Sequence, residues 1–464
     1  MRISKFMTVY TISVFVILAA LDNMIIGLFP PLFSCISSDL GVEISFLGFA
    51  SGANILFTVI SSVYWGYISG KYNRKLLVII GTIIWSLSVY ITSKSNSFGQ
   101  LFFMQIITGI GLGCISSVGF SILTDYIPKK YRGMLLSLWG MSQGLGGILG
   151  SLFASLIAPS KSWRTPFEIL SILGLLLIVL YIFTKEPSYG QSEPELKKLI
   201  NSGRKYVYNI EIKHIKTIIF NRSNKYLFFQ AFFINITIGT FIWLPTLYNS
   251  KILKLGYDGK TAIVISGYLY AIFQIGGVFS PCFGYIGDYF NRKYKISRAK
   301  ITSYFVFLMI PFYSIMFLSP LKNFNIKFSD NSLTLCLSLF KQIVINPWMF
   351  GIFIFAILAS ATQSANTPNW LALITEANLP EHRGTAFSLA NLANGIGRTI
   401  GTAGIGVLIT VMSLKFNEPE NYSYALVAFQ IFLIPSGILY YIMSKFSERD
   451  VDYVKKILKE RGKV

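Results

Sequence analysis

Charge, histidine and cysteine are scarce in this chain. Only 13% of its 464 residues are Asp, Glu, Lys or Arg, about half the share of an ordinary soluble domain (~25%). Apolar side chains fill the difference at 53% of the chain. That balance excludes a disordered or fibrous protein and argues against a soluble enzyme. The two histidines, His214 and His382, are far apart. The four cysteines, Cys35, Cys114, Cys282 and Cys336, are widely spaced and mostly inside apolar runs, which leaves no disulfide framework or zinc spacing. No Walker A sequence occurs, so ATP is not expected as the direct energy source, and no cofactor is implied. Gly140-Met141-Ser142-Gln143-Gly144 satisfies G-x-S-x-G only as letters, because a nucleophile elbow needs a strand-turn-helix setting and a histidine. Gly109-Ile110-Gly111 imitates a dinucleotide fingerprint inside a hydrophobic run.

What the chain has is length without charge. A helix crosses a hydrocarbon core with about 20 predominantly apolar residues. Twelve stretches qualify: 7–33, 44–69, 76–93, 100–125, 134–158, 167–184, 226–249, 261–287, 301–320, 347–375, 385–413 and 424–445. Backbone in lipid must satisfy its own hydrogen bonds, and strand-like alternation is missing, so the fold class is all-α integral membrane. The first stretch is too long, and too polar at Asp22, for a cleavable signal. Leu333 to Ile345 is too short to cross and carries Lys341; it reads as an extension of the tenth span.

The net charge of +21 would suggest nucleic acid in a soluble chain. Its placement says otherwise. Thirty of the 41 Lys and Arg fall in the connections that share a side with the N-terminus, and ten fall opposite. By the positive-inside rule both termini are cytoplasmic, and no nucleic acid partner is expected. The expected partners are the bilayer, a small-molecule substrate and coupling protons, with the chain acting as a monomer.

The sequence repeats itself. GYISGKYNRK (66–75) and GYIGDYFNRK (284–293) match at six of ten positions with an offset of 218. Arg132-Gly133 and Ser137-Leu138 recur at Arg383-Gly384 and Ser388-Leu389 with an offset of 251. Two echoes in order imply two homologous six-helix bundles, residues 1–184 and 226–446, joined by a linker at 185–225 and followed by a basic tail at 447–464. Many secondary transporters are built this way. Linker and tail carry apolar residues near helical spacing among lysines, which fits a plain tether or a segment on the inner leaflet.

These repeated loops resemble the signature of the major facilitator superfamily, G-x-x-x-D-x-x-G-R-R/K. The second copy keeps Gly284, Asp288, Arg292 and Lys293; the first keeps Gly66 and Arg74 but has Gly70 in place of the acid and Asn73 in place of the second glycine. The resemblance implies a cytoplasmic gate held by Asp288 and Arg292 with Glu376, a partial counterpart at Arg74 and Asp125, and supporting roles for Arg132 and Arg383. It also implies a cavity among spans 1, 4, 7 and 10, which nominates Gln105, Asn235, Trp243, Gln363, Asn366 and Trp370 as lining; for each, a plain interhelical hydrogen bond or a place in the interfacial aromatic belt is an equal reading.

Ionisable groups inside spans cost several kcal/mol and are functional candidates by default. Two lie deep, Asp22 in the first span and Arg398 in the eleventh. The context LDNMIIGLFPPL of Asp22 is similar to the first span of both the proton-driven drug exporters and the spinster-like transporters of the superfamily. Asp22 can serve as a proton site or as half of a static ion pair. Arg398 cannot shed its proton and needs an anion, either Asp22 or a group on the substrate. The glycine-rich spans 5 and 11 are expected to form a sliding seam between the bundles. The function so implied is secondary active transport of a small organic solute, amphipathic or zwitterionic, coupled to protons; the alternative is a non-transporting sensor or scaffold on the same fold.

Overall fold

A computed structural model describes residues 5–126, 132–187, 216, 218–294, 297–326, 332–378 and 382–461. Among them every regular element is helical. The chain divides into two compact units, Met1–Asn209 and Ile210–Val464. Most of the linker lies outside the described residues.

The first unit runs α1 (Lys5–Leu28), α2 (Phe33–Leu40), α3 (Ile44–Ser69), α4 (Arg74–Ser93), α5 (Phe98–Cys114), α6 (Phe120–Tyr126), α7 (Arg132–Ile157) and α8 (Arg164–Ile182). The second runs α9 (Arg222–Thr240), α10 (Leu244–Lys254), α11 (Gly259–Phe273), α12 (Ser280–Tyr294), α13 (Arg298–Leu318), α14 (Ser332–Ile345), α15 (Pro347–Ser364), α16 (Asn366–Glu376), α17 (Arg383–Ser413), α18 (Glu420–Phe429), α19 (Leu433–Met443) and α20 (Ser447–Arg461). Polar residues at the starts accept backbone N–H groups that the first helical turn leaves free: Asn73 from Leu76, Ser97 from Gln100, Asn221 from Asn224 and Asp258 from Lys260 and Thr261. Gly41, at φ 62° after α2, turns the chain where a side chain would be strained.

Several expected spans are jointed. The first continues through a 3-10 turn at Pro30–Leu32 into α2, and the fourth passes from α5 to α6 through a π-helical turn at Ile115–Gly119. The seventh breaks at Phe241–Trp243, the eighth at Ile275–Phe279, the tenth at Ala365 and the twelfth at Gln430–Phe432. Eleven helical stretches among the described residues are long and apolar enough to cross a membrane. The remaining expected span coincides with α7, of which only Leu145–Ser160 counts as described apolar helix. The stretch at Leu333–Ile345 is not an extension of the tenth span. It is a separate helix, α14, because Asn346 interrupts the chain and its side chain caps the start of α15 at Trp348 N.

Both units are assembled alike. α1 packs chiefly on α7, α3 on α5, and α4 on both α5 and α8; correspondingly α9 packs on α17, the turn after α11 on α15, and α13 on α19. The agreement extends to atoms. A Cβ on Gly146 or Gly150 would strike the carbonyl oxygens of Ala20 and Met24, and one on Gly397 or Gly401 those of Phe232 and Ile236. A Cβ on Gly27 would meet the Gly147 carbonyl, and one on Gly239 the Arg398 carbonyl. The two crossings therefore superpose with an offset of 212 on one helix and 251 on the other. These glycines serve close packing inside each unit.

Candidate functional site

In the first unit Asp22 lies on the face of α1 opposite the glycine crossing. Phe15 and Leu18 share that face and belong to a core cluster with Cys114, Ile115, Val118 and Ile122. Asp22 is 5% exposed, and neither carboxylate oxygen has a hydrogen-bond partner among the described residues. Cys114, at the start of the π turn, is within electrostatic reach of it. Such turns interrupt the regular ladder and recur at functional sites. Gln105, one turn or more away on α5, is buried and bonded to Asn54: the Asn54 amide donates to the Gln105 side chain at 3.2 Å and to its backbone carbonyl at 3.1 Å.

In the second unit the nominated residues fall into separate groups. Arg398 is exposed on α17, with Tyr270 of α11 as its electrostatic neighbour, and no described residue of its own unit hydrogen-bonds or pairs with it. Gln363 accepts from the buried Tyr313 hydroxyl, and Tyr313 stacks on Phe241 at 4.4 Å. Asn366 sits at the α15–α16 joint and accepts from Tyr440 Oη at 2.7 Å and Gln230 Nε2 at 3.2 Å. Asn235 donates to Asn394 Oδ1 at 2.7 Å and to Ala231 O at 2.9 Å. Trp243 is fully buried and donates to Thr402 O at 3.1 Å. Trp370 is buried beside Phe387, and its indole N–H has no partner among the described residues. Gln105, Asn235 and Trp243 thus join neighbouring helices.

The signature loops form two ion-pair clusters. Arg74 opens α4, is wholly buried, and reaches Asp125 at 2.6 Å and Glu186 at 3.0 Å. It also donates to Ser121 Oγ at 3.2 Å and Pro187 O at 2.7 Å. Glu186 thereby supplies a second acid where Gly70 offers none. In the second unit Asp288 and Glu376 are joined by Arg298, in contact with Asp288 and 3.2 Å from Glu376. Arg298 opens α13 behind the cap residue Ser297 as Arg74 opens α4 behind Asn73. The side chains of Arg132, Arg292 and Arg383 lie outside the described residues. A Cβ on Gly284 would crowd Pro368 at 3.2 Å, whereas one on Gly66 would meet Ser117 at an ordinary 3.9 Å. Arg298 was missed because the loop alignment places Arg74 opposite Arg292; the second unit has six more residues before its third span. A cap residue followed by Arg at the head of an apolar run was the signal that could have found it.

The model of the Major Facilitator Superfamily matches residues 13–327 and 331–461, nearly the whole described chain. The chain belongs to the major facilitator superfamily. A 4-hydroxybenzoate transporter of Pseudomonas aeruginosa is 21% identical over 300 residues, 60% of this chain and 64% of that protein. A hexuronate transporter of Bacillus subtilis is 22% identical over 261 residues, 56% of this chain and 59% of that protein. The chain thus spans less than two thirds of either superfamily relative. The crystal structure of a bacterial homologue of the human lysosomal transporter Spinster matches with a TM-score of 0.73 and 18% identity, covering 96% of this chain and 99% of that one. That likeness establishes the superfamily fold. With eleven helices among the described residues long and apolar enough to cross a membrane, the chain is a multi-pass membrane protein, and these relatives are transporters rather than enzymes.

Proposed function

We propose that this superfamily member is a secondary active transporter of a small organic solute carrying a carboxylate, coupled to protons and working by alternating access. In this reading it has twelve spanning helices, α7 included, in two homologous bundles at 1–184 and 226–446. Both termini are cytoplasmic, as are the linker at 185–225 and the tail from 447. The observation that carries the reading is that the two ionisable groups deepest in the spans, Asp22 and Arg398, are left without partners in their own units. A carboxylate in lipid-spanning helix without a partner costs several kcal/mol, and a proton removes that cost. A guanidinium stays charged and recruits an anion. Relatives named for 4-hydroxybenzoate and hexuronate support a carboxylate as that anion. Gln363 and Tyr270 are suited to orient the rest of the solute.

The test is uptake of 4-hydroxybenzoate, benzoate and hexuronates into proteoliposomes under an imposed pH gradient. Asp22→Asn is expected to abolish gradient-driven accumulation while sparing counterflow exchange, since the amide keeps the shape and loses the titratable group. Arg398→Gln is expected to abolish both. Accumulation by Asp22→Asn equal to that of the wild type would overturn proton coupling at this residue; flux of none of the acids would overturn the substrate class.

A further inference from the structure

We propose that α14 is an interfacial helix seated in the outer leaflet, with one flank on the protein, one on lipid and one on water. Its length comes first: fourteen residues at about 1.5 Å each make about 21 Å, short of a core of about 30 Å. α14 packs on α15 and α11 in its own unit. Leu335, Leu339 and Ile343, spaced four apart, are buried and mark the flank of α14 turned to the protein.

At about 100° per residue, Leu337, Phe340 and Val344 form a second stripe roughly 130° round the helix from the first. They are exposed, Leu337 at 63% and Val344 at 75%. Thr334, Ser338, Lys341 and Gln342 form a third stripe between the two, exposed or half-buried, which ends at the exposed Ile345 beside the joint. A helix in water hides one apolar face and a spanning helix has no polar flank, whereas three flanks suit a helix lying in the plane of an interface.

What covers the second stripe is indicated by its neighbour. The next helix in the chain, α15, begins a stretch long and apolar enough to cross a membrane and exposes Trp348, Phe350, Ile354 and Leu358. Lys322 holds its ammonium 4.5 Å from the Trp348 ring, the pairing of aromatic and basic side chains that marks a membrane boundary. Asn346 anchors the joint by donating to the carbonyls of Lys322 and Asn323 at 2.8 and 3.0 Å. The apolar stripe of α14 therefore begins at the depth of the aromatic belt and runs on from a lipid-facing surface. Its occupant is phospholipid, at the boundary between headgroups and acyl chains. The leaflet assignment rests on the cytoplasmic termini proposed above.

The test uses full-length protein with Cys35, Cys282 and Cys336 replaced by serine and the buried Cys114 kept. Single cysteines replace Leu337, Phe340, Val344, Thr334 or Lys341 and carry an environment-sensitive fluorophore. In vesicles of phosphatidylcholine and phosphatidylglycerol, labels at 337, 340 and 344 are expected to be quenched by spin-labelled lipid at least about threefold more than labels at 334 and 341. Soluble quencher should show the reverse order. Soluble quencher reaching all five alike would overturn the proposal, and so would self-quenching at 337 and 344 that grows with protein-to-lipid ratio, which would assign the stripe to a second copy. Separately, Lys341→Cys should react with a membrane-impermeant thiol reagent on intact cells. Reaction only from the cytoplasmic side would overturn the topology and the leaflet, whereas outside reaction with water-quenched stripes would overturn the seat on lipid alone.

Discussion

Arg74 and Arg298 each hold two carboxylates, yet their surroundings make them unequal. Arg74 is 0% exposed and its partners Asp125 and Glu186 are 13% and 23% exposed, so removing the guanidinium strands charges where water cannot replace it. Arg298 is 14% exposed, but Asp288 and Glu376 are 38% and 40% exposed, and solvent screens what is left behind. Arg74→Gln should therefore destabilise by about 3 kcal/mol, and Arg298→Gln by about 1 kcal/mol or less. Thermal unfolding in detergent, each variant against the wild type, measures both. Equal losses would show that burial does not set the cost. The Arg74–Asp125 contact was legible from the signature loop. Glu186 was not, because nothing local in the sequence ties the end of α8 to the start of α4.

At the scale of elements, the glycine crossings carry the packing. Helices in lipid gain no hydrophobic drive from touching each other, so close backbone approach supplies the dispersion energy instead. The Gly146-Gly147 pair separates that role from mere glycine content. A Cβ on Gly146 would strike the Ala20 carbonyl, while one on Gly147 would meet nothing within 4 Å. Gly146→Ala should cost about 1–3 kcal/mol by forcing α1 and α7 apart, and Gly147→Ala should be neutral within about 0.5 kcal/mol. Gly397→Ala in the second unit should repeat the larger loss. Unfolding temperatures that rank Gly147→Ala with Gly146→Ala would refute this account of the crossing. The glycine-rich character of these helices was plain in the sequence, but their partners inside each unit, α1 and α9, were not: composition shows that a helix can be approached closely and is silent on which neighbour approaches it. The tail was also half legible. Its apolar spacing was visible, while the docking of α20 through Asp450 on Ser223 at 2.5 Å, with Val454 buried, is a tertiary fact.

For the whole molecule, the uneven spread of basic residues predicts an orientation. Cysteines placed at Lys94, Lys161 and Lys415 should react with an impermeant reagent on intact cells, and those at Lys71 and Lys445 only after permeabilisation. The opposite pattern would invert the proposed topology. Membrane class, internal repeat and superfamily were legible in the sequence alone, because each rests on properties that add along the chain: hydropathy over some twenty residues and identity at a fixed offset. The joints, the partners and the separation of α14 from α15 were decided only by tertiary structure. That Asn235 bonds to Asn394, that Arg298 reaches both Asp288 and Glu376, and that the short apolar stretch forms a helix of its own depend on which side chains arrive from distant segments. A period of 3.6 residues defines a helix's face, and only the packed neighbours determine what that face meets.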